Sequence, residues 1–401
     1  MISPSTSYTS LDQQKMKSRD WRSALRTPPP YRIGSRPLRF NFHFTVILVA
    51  IVILVILFVN NVGSKSSSDV ARIPSISLWS SYKFNSTYPL TLPISLEGTF
   101  TYRIGVIADL DKESRIGKSD TWKSYLKKGF LSFNAEKAYV SVSWDTTDPI
   151  TLEGSFSLKG RGMELSELIT FNGKILTFDD RTGIVYELLG EKVIPWVILM
   201  DGEGHSTKGF KSEWAAVKDH TLYVGSMGKE WTSGTGEYEN DNPMFVKAVS
   251  TSGEVKTLNW SDHFKKMRES SAGIKWPGYM IHESGMWSEH HKKWFFLPRR
   301  CSKEKYNETM DEHMGCDLMI TANDGFTRIT TTKVENKDKA HGFSSFKFIP
   351  GSNDNVILAI KSEEVNGKTG TFITSFTIDG KVLMKEERIP TEYKFEGIEF
   401  L

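Results

Sequence analysis

The chain has 401 residues, 51 Lys and Arg against 48 Asp and Glu, a net charge of +3 and two cysteines. So even a balance, with no basic stripe in the long C-terminal part, argues against nucleic acid as the main partner. Cys301 and Cys316 do not make a zinc site, and in an oxidising compartment a bridge between them and a pair of free buried thiols are equally compatible with the sequence.

Residues 1–39 are rich in Ser, Thr and Arg, contain Pro28-Pro29-Pro30, and read as a disordered basic cytosolic tail. Phe44 to Val59 carries no charge. Extended to 40–62, the apolar stretch comes close to the ~20 residues of a membrane-spanning helix. Eight Lys and Arg precede it against Asp12 and Asp20. That bias predicts a single-pass anchor with everything after about residue 63 lumenal or extracellular. The sequons at Asn85, Asn259 and Asn307 all follow it. Residues 63–98, with Ser66-Ser67-Ser68 and several prolines, read as a lumenal stem. Residues 99–401 remain for one large domain.

Strand signals dominate that domain. Strands are predicted at Thr101–Ala108, Ser124–Phe133, Ala138–Trp144, Ser155–Leu158 and Thr369–Ile378, with hairpin turns at Asn172-Gly173 and Asp379-Gly380. Ser261–Ser271 is the best helix. One design recurs, beginning at Glu164, Glu213, Glu283, Ser344 and Glu396: an oxygen-bearing side chain at the mouth of an apolar strand. In the first four cases a polar turn and a second apolar strand follow. Spacings of 49, 70, 61 and 52 residues between these starts predict an all-β, five-bladed propeller. After Glu396 only one strand remains, so it is expected to pair with the early strands and close the ring.

A propeller brings equivalent positions to one axis. Ser166, Glu213, Glu283, Ser344 and Glu396 would then form an oxygen-only cage suited to Ca²⁺ or Mg²⁺ and not to zinc, with Glu167 as a further ligand or the holder of a coordinated water. Asp109, Asp111, Asp179 and Asp180 end apolar runs nearby and are candidates to position or deprotonate a water. Arg161, Lys211, Arg299 and Arg300 are placed to meet phosphate oxygens. Trp214 and Trp231 could stack a nucleobase, although spacing alone puts such residues in a core. Several conventional motifs are missing. No second His follows His282-Glu283 at zincin spacing, Ser362 stands where the P-loop that would end in Gly367-Lys368-Thr369 needs its first Gly, and no nucleophile elbow or Rossmann fingerprint occurs.

Ordered blocks carry a resemblance from about Tyr102 to the last residue. Among them are Ile107-Ala108-Asp109-Leu110-Asp111, Lys159-Gly160-Arg161-Gly162-Met163-Glu164-Leu165-Ser166, Asp179-Asp180-Arg181-Thr182-Gly183, Gly228-Lys229-Glu230-Trp231, Leu297-Pro298-Arg299-Arg300, His341-Gly342-Phe343-Ser344 and Phe395-Glu396-Gly397. The chain resembles the calcium-activated nucleotidases of the apyrase family, in their membrane-anchored Golgi and endoplasmic-reticulum form. The resemblance implies a five-bladed propeller with central Ca²⁺ and hydrolysis of nucleoside di- and triphosphates. It puts the calcium shell on Ser166, Glu167, Glu213, Glu283, Ser344 and Glu396, although the family often has Asp where this chain has Glu167. Arg115, Arg181, Lys211, Trp214 and Trp231 are the expected substrate contacts, and the base stays open among the four aspartates. UDP and GDP, by-products of sugar transfer, are the expected substrates, and their removal would support glycosylation and proteoglycan synthesis. A cleaved, secreted apyrase acting on extracellular ATP and ADP, and a non-enzymatic calcium-stabilised propeller, are the alternatives. The oligomeric state, a homodimer included, stays open.

Overall fold

A computed structural model of the chain describes residues 47–57 and 83–401, together with two short strands, Arg32–Ile33 and Arg36–Pro37. The chain divides into two units, Met1–Ser81 and Tyr82–Leu401. In the first, residues 47–57 form an exposed α-helix inside the expected 40–62 span; the rest of that span lies outside the described residues. Among the described residues no helix is long and apolar enough to cross a membrane.

The second unit is a five-bladed β-propeller of antiparallel sheets. The innermost strands are Leu165–Phe171, Trp214–Lys218, Tyr279–Ser288, His341–Phe348 and Phe395–Phe400. They lie at the five repeat starts, and each packs against its two neighbours around the axis. Lys174–Asp179, Thr221–Gly225, Lys293–Ser302, Val356–Val365 and Thr99–Ala108 pair with them on the outside. The fifth blade joins the two ends of the unit: Phe400 pairs with Ile104 and Ile398 with Val106. All four side chains are fully buried, each contributing about 1.5–3 kcal/mol of apolar burial to closure.

Local turn chemistry operates as expected at Asn172-Gly173, where both residues have positive φ, 50° and 76°. The helix between the second and third blades runs Ser261–Ala272 and seals their shared core with Phe264 and Met267. One expected strand is misplaced. Ser155–Leu158 is irregular, and the strand is Ile150–Gly154. The reason is the length of Trp122–Asn134: its second half pairs with Tyr139–Trp144 and its first half with Ile150–Gly154, after which the chain turns away.

Residues 83–98, expected as stem, lie on the propeller. Phe84 stacks on His220 with centroids 4.3 Å apart, the Tyr88 hydroxyl donates to Glu399 at 2.7 Å, and Ile94–Leu96 adds a strand to Thr99–Ala108. Phe84 and Tyr88 line a cavity with Ile169, Val217, Met286 and Glu399, at the far ends of the inner strands. The chain therefore reaches the propeller on the face opposite the repeat starts.

The fourth blade carries a buried ion cluster that makes its stability depend on acid. Glu386 accepts from Lys361 Nζ at 2.7 Å and meets His341 Nδ1 at 2.5 Å, while the His341 ring stacks on Phe372. Burial raises the Glu386 carboxyl, but the His341 hydrogen bond and the Lys361 charge outweigh it and bring its pKa from 4.5 down to about 2. A depressed carboxyl stabilises the fold above its unfolded pKa and loses that contribution as pH falls through the folded one. Here the window runs from pH 4.5 to about 2. The drop corresponds to about 3 kcal/mol. Glu386→Gln is expected to lower stability at pH 7 by about that amount and to flatten the pH dependence of urea midpoints across the window. An unchanged slope would remove Glu386 as its source.

Candidate active site

Four of the five inner strands share a device. One extra residue interrupts the pairing between Leu165 and Leu168, between His282 and Gly285, between Phe343 and Ser345, and between Phe395 and Gly397. These β-bulges fall on Ser166-Glu167, Glu283-Ser284, Ser344 and Glu396. A bulge ends regular pairing and re-aims a side chain, so the ligand positions are turned out of the sheet alternation. In the second blade Glu213 lies just before the strand, its N–H donating to the Gly225 carbonyl at 2.8 Å. The third blade bulges on its second strand too: Ile281 pairs with Arg300 and His282 with Pro298, leaving Arg299 as the extra residue. Gly397 shows how tightly the axis is drawn in. A Cβ there would lie 2.6 Å from the Glu167 Cα, so only glycine fits.

Above the axis is a cavity of about 290 Å³ whose wall includes Asp109, Asp111, Glu213, Glu283, Glu396 and Glu364 with Lys211, Arg299, Arg300 and Lys394. Acids and bases alternate there. Arg299 Nη1 bonds Glu283 and also Glu396, the latter at 3.1 Å. Lys394 Nζ lies 2.8 Å from Asp111, 3.1 Å from Asp109 and 3.4 Å from Glu396. Lys211 Nζ bonds Asp180 and lies 2.8 Å from Glu213. Arg161 grips Glu164 through Nε at 2.7 Å and Nη2 at 2.5 Å, and reaches Asp111 at 3.2 Å.

Other expected site residues are placed elsewhere. Glu167 is buried with its carboxylate held by Ser345 Oγ at 2.8 Å, Lys347 Nζ at 3.1 Å and the Leu168 N–H at 2.8 Å. It braces the Ser344-Ser345 bulge from behind instead of facing the cavity. Asp179 accepts from the backbone N–H groups of Met163, Arg181 and Thr182 at 2.8, 2.9 and 3.1 Å, which makes it a turn-holding residue and not a water-positioning one. The turn closes at Gly183, φ 75°, where a Cβ would lie 2.1 Å from the Leu199 carbonyl oxygen. Trp214 is fully buried between the second and third blades, edge-on to Phe296 at 5.4 Å, with Nε1 donating to Ser226, so it stacks on no ligand. Trp231 lies under Lys208 Nζ at 4.1 Å, behind the cavity wall. Arg115 pairs with exposed Asp120 at 3.6 Å, and neither Arg115 nor Arg181 lines the cavity.

Three residues escaped the sequence reading, Lys394, Glu364 and Lys347, and Glu164 is singled out there as a repeat start and not as a site residue. A signal existed for the first. Lys394-Phe395-Glu396 repeats the spacing of Lys211-Ser212-Glu213, a cation two residues before the axial carboxylate. Lys347 had none, because a lysine in an apolar strand looks like the solvent-facing half of an alternation.

The electrostatics separate the two carboxylates at the cavity edge. Burial pushes Asp109 well above the usual carboxylate range, and Lys394 only partly offsets it. Burial also raises Asp111, but Lys394, Lys211 and Arg161 outweigh it and hold that carboxyl below its ordinary value.

A family model described as Apyrase matches residues 110–401. The chain is 51% identical over 318 residues to soluble calcium-activated nucleotidase 1 of Mus musculus, covering 79% of this chain and 78% of that protein. It is 46% identical to an apyrase of Cimex lectularius, covering 79% and 87%, and 41% identical to apyrase apy-1 of Caenorhabditis elegans, covering 90% and 98%. The chain belongs to the apyrase family. Like those apyrases and nucleotidases, it is an enzyme that hydrolyses nucleotide phosphates, and the charged cavity over the axis brings four basic side chains together where phosphates could bind.

The axial residues of this apyrase fit a hard divalent cation. They offer only oxygen donors, and the Ser344 hydroxyl is buried without a hydrogen-bond partner. Ser166 Oγ donates to the Ser212 carbonyl at 2.6 Å, which leaves its lone pairs free to accept. Burial pushes Glu213 well up; Lys211 pulls it back, and Glu283 and Glu396 push it up again. A cation removes that repulsion. Among the described residues the acids whose oxygens come within 4.8 Å of one another are Asp109, Asp111 and Glu164; Glu213, Glu283 and Glu396 line the cavity over the axis without gathering that closely. Arg161 and Lys394 pair with the Asp109–Asp111–Glu164 group.

Proposed function

We propose that the enzyme is a calcium-dependent nucleoside diphosphatase, acting on UDP and GDP in the secretory lumen and tethered by an N-terminal membrane helix. The observation that carries the reading is the meeting of three axial carboxylates and four basic side chains in one cavity. Glu213, Glu283 and Glu396, with the Ser166 and Ser344 hydroxyls, would hold Ca²⁺. When bound, the ion polarises phosphate oxygens and neutralises charge on them. Arg299, Arg300, Lys211 and Lys394 bind and orient the phosphates. Asp109, raised by burial and at the cavity edge, accepts the proton of the attacking water. Asp111 stays ionised and fixes Lys394 and Arg161. Water attacks the terminal phosphorus, its bond to the bridging oxygen breaks, and the nucleoside monophosphate leaves.

Rim carboxylates support the base preference. Glu308, Asp311 and Glu312 lie at one side of the cavity. They accept from the ring N–H that uracil and guanine carry, whereas adenine presents a bare ring nitrogen there. The lumenal placement is supported by the apolar 40–62 segment, by exposed Asn85 and Asn259, and by the Cys301–Cys316 disulfide, which persists in oxidising compartments.

Phosphate release from UDP, GDP, ADP and ATP, with Ca²⁺ or with excess chelator, tests this. UDP and GDP are expected to lead and chelation to abolish turnover. Turnover that survives chelation rejects calcium dependence. A lead for ADP and ATP rejects the UDP/GDP assignment and favours an extracellular purine role.

A further inference from the structure

A separate cavity, of about 360 Å³, lies beside the helix that joins the second and third blades, and it shares no lining residue with the one over the axis. Three pieces of chain build its wall. A hairpin inserted between the second and third strands of the second blade brings Glu230, Tyr238 and Asp241. The helix Ser261–Ala272 brings Lys265, Arg268 and Glu269, and their spacing of three and four residues puts them on one face. The loop after the helix brings Trp276.

Two aromatic rings stand open there. Tyr238 is 56% exposed and Trp276 44%, and they meet at right angles with centroids 6.0 Å apart. Both are held by fixed backbone. The Gly273 N–H donates to the Glu269 carbonyl at 3.0 Å and ends the helix, and Ile274 is buried in the core shared by the two blades. The Gly278 N–H donates to the Lys275 carbonyl at 2.8 Å, so Trp276 sits at the tip of a tight turn. Tyr238 pairs with Thr232 across its hairpin, and the Ser233 N–H donates to the Glu237 carbonyl at 2.9 Å. The polar groups around the rings are only partly matched. Arg268 is 3% exposed and forks onto Glu230 through Nη1 at 2.6 Å and Nη2 at 2.8 Å, which leaves its Nε–H without an acceptor. Asp241 accepts from Lys265 Nζ at 3.3 Å through Oδ2, and its Oδ1 has no donor. Buried polar atoms are ordinarily paired, so a donor and an acceptor left over in one cavity point to a ligand that supplies both.

The wall holds three carboxylates against two cations, which disfavours an anion. A cation would suit Asp241 and the exposed Glu269, but it cannot accept from Arg268 and is repelled by it. A hydroxyl both donates and accepts. A pyranose ring combines a rim of hydroxyls with a flat C–H face, and the open rings offer an apolar surface of matching kind. We propose that this cavity is a carbohydrate site for a neutral pyranose. The C–H face of the sugar rests on Trp276 with Tyr238 as the side wall, and its hydroxyls donate to Asp241 and Glu269 and accept from Arg268. The site does not depend on the nucleotidase reading. A glycan held here keeps the enzyme beside the acceptors of sugar transfer, the class of reaction that releases nucleoside diphosphates.

Saturation-transfer NMR on the full chain tests this with the methyl glycosides of glucose, galactose, mannose and N-acetylglucosamine, and with choline and inorganic sulfate as cation and anion probes. At least one glycoside is expected to receive saturation, strongest at its C–H protons, and neither charged probe is. Trp276→Ala and Tyr238→Ala should each weaken that transfer by about fivefold or more. Their thermal unfolding midpoints should match the wild type, since both rings are exposed, and because the rings come from separate segments either folded variant is sufficient. Transfer to none of the four glycosides would overturn the proposal, as would transfer undiminished in a folded ring variant. Choline binding that the glycosides do not displace would make the cavity a cation site and overturn it as well.

Discussion

Lys347→Met is expected to cost about 3–5 kcal/mol of stability. Lys347 is completely buried among the inner strands, with Nζ 3.1 Å from Glu167. Its charge also acts on Glu399, which accepts from the Tyr88 hydroxyl and the Thr170 N–H. Methionine matches the aliphatic length but leaves Glu167 with no positive partner. Burial already lifts Glu167 to about 7 with Lys347 present. A carboxylate stranded there must take up a proton or carry an uncompensated desolvation penalty. Urea unfolding at pH 7 would read the loss directly. The double variant Lys347→Met/Glu167→Gln should recover part of it, because the unpaired charge is gone. A double variant no more stable than the single one would show that Lys347 acts through packing and that the pair is not the source.

The blades were legible because their signals are local. Each inner strand contains or directly follows an oxygen-bearing repeat residue, Asn172-Gly173 supplies the positive φ its hairpin needs, and Ser261–Ser271 is helical within one residue of the expected end. The closure by Phe395–Phe400 could be inferred because one strand at the C-terminus had no other partner. What stayed hidden was long-range or one residue deep. A bulge adds a single residue to one strand and changes no composition, so the repeat marks Glu396 but nothing in the string shows that Glu167, next to Ser166, turns away from the cavity. Trp214 directly follows the axial Glu213, yet aromatic area between blades is drawn into the core whatever its neighbours, and Trp231 packs against a smaller cluster. The 83–98 segment reads as linker because its anchors, Phe84 and Tyr88, are single aromatic residues whose partners, His220 and Glu399, are far away in the chain. Asp179 reads as a chemical residue until its three backbone donors are seen.

Glu396→Gln is expected to lower calcium-dependent phosphate release by about 10²–10³-fold. The substitution keeps the shape and one oxygen but removes a charge from a set of three, and the affinity of an oxygen site for Ca²⁺ follows its ligand charge. It also releases Arg299 and Lys394, both of which lean on Glu396 in the structure. Activity alone cannot separate these effects, so the decisive reading is thermal. Wild-type enzyme should gain melting temperature on calcium addition, since a ligand that binds only the folded state stabilises it. Glu396→Gln should lose most of that gain. Glu164→Gln should retain it, although it removes one of the three acids in the lateral Asp109–Asp111–Glu164 group. The opposite pattern, a calcium response kept without Glu396 and lost without Glu164, would move the ion off the axis to that group. Physical reasoning favours the axis. The Arg161 fork and the Lys394 ammonium already occupy the lateral acids, while the axial set contains a buried hydroxyl at Ser344 with nothing to bond and three glutamates served by cations that a phosphate would draw away.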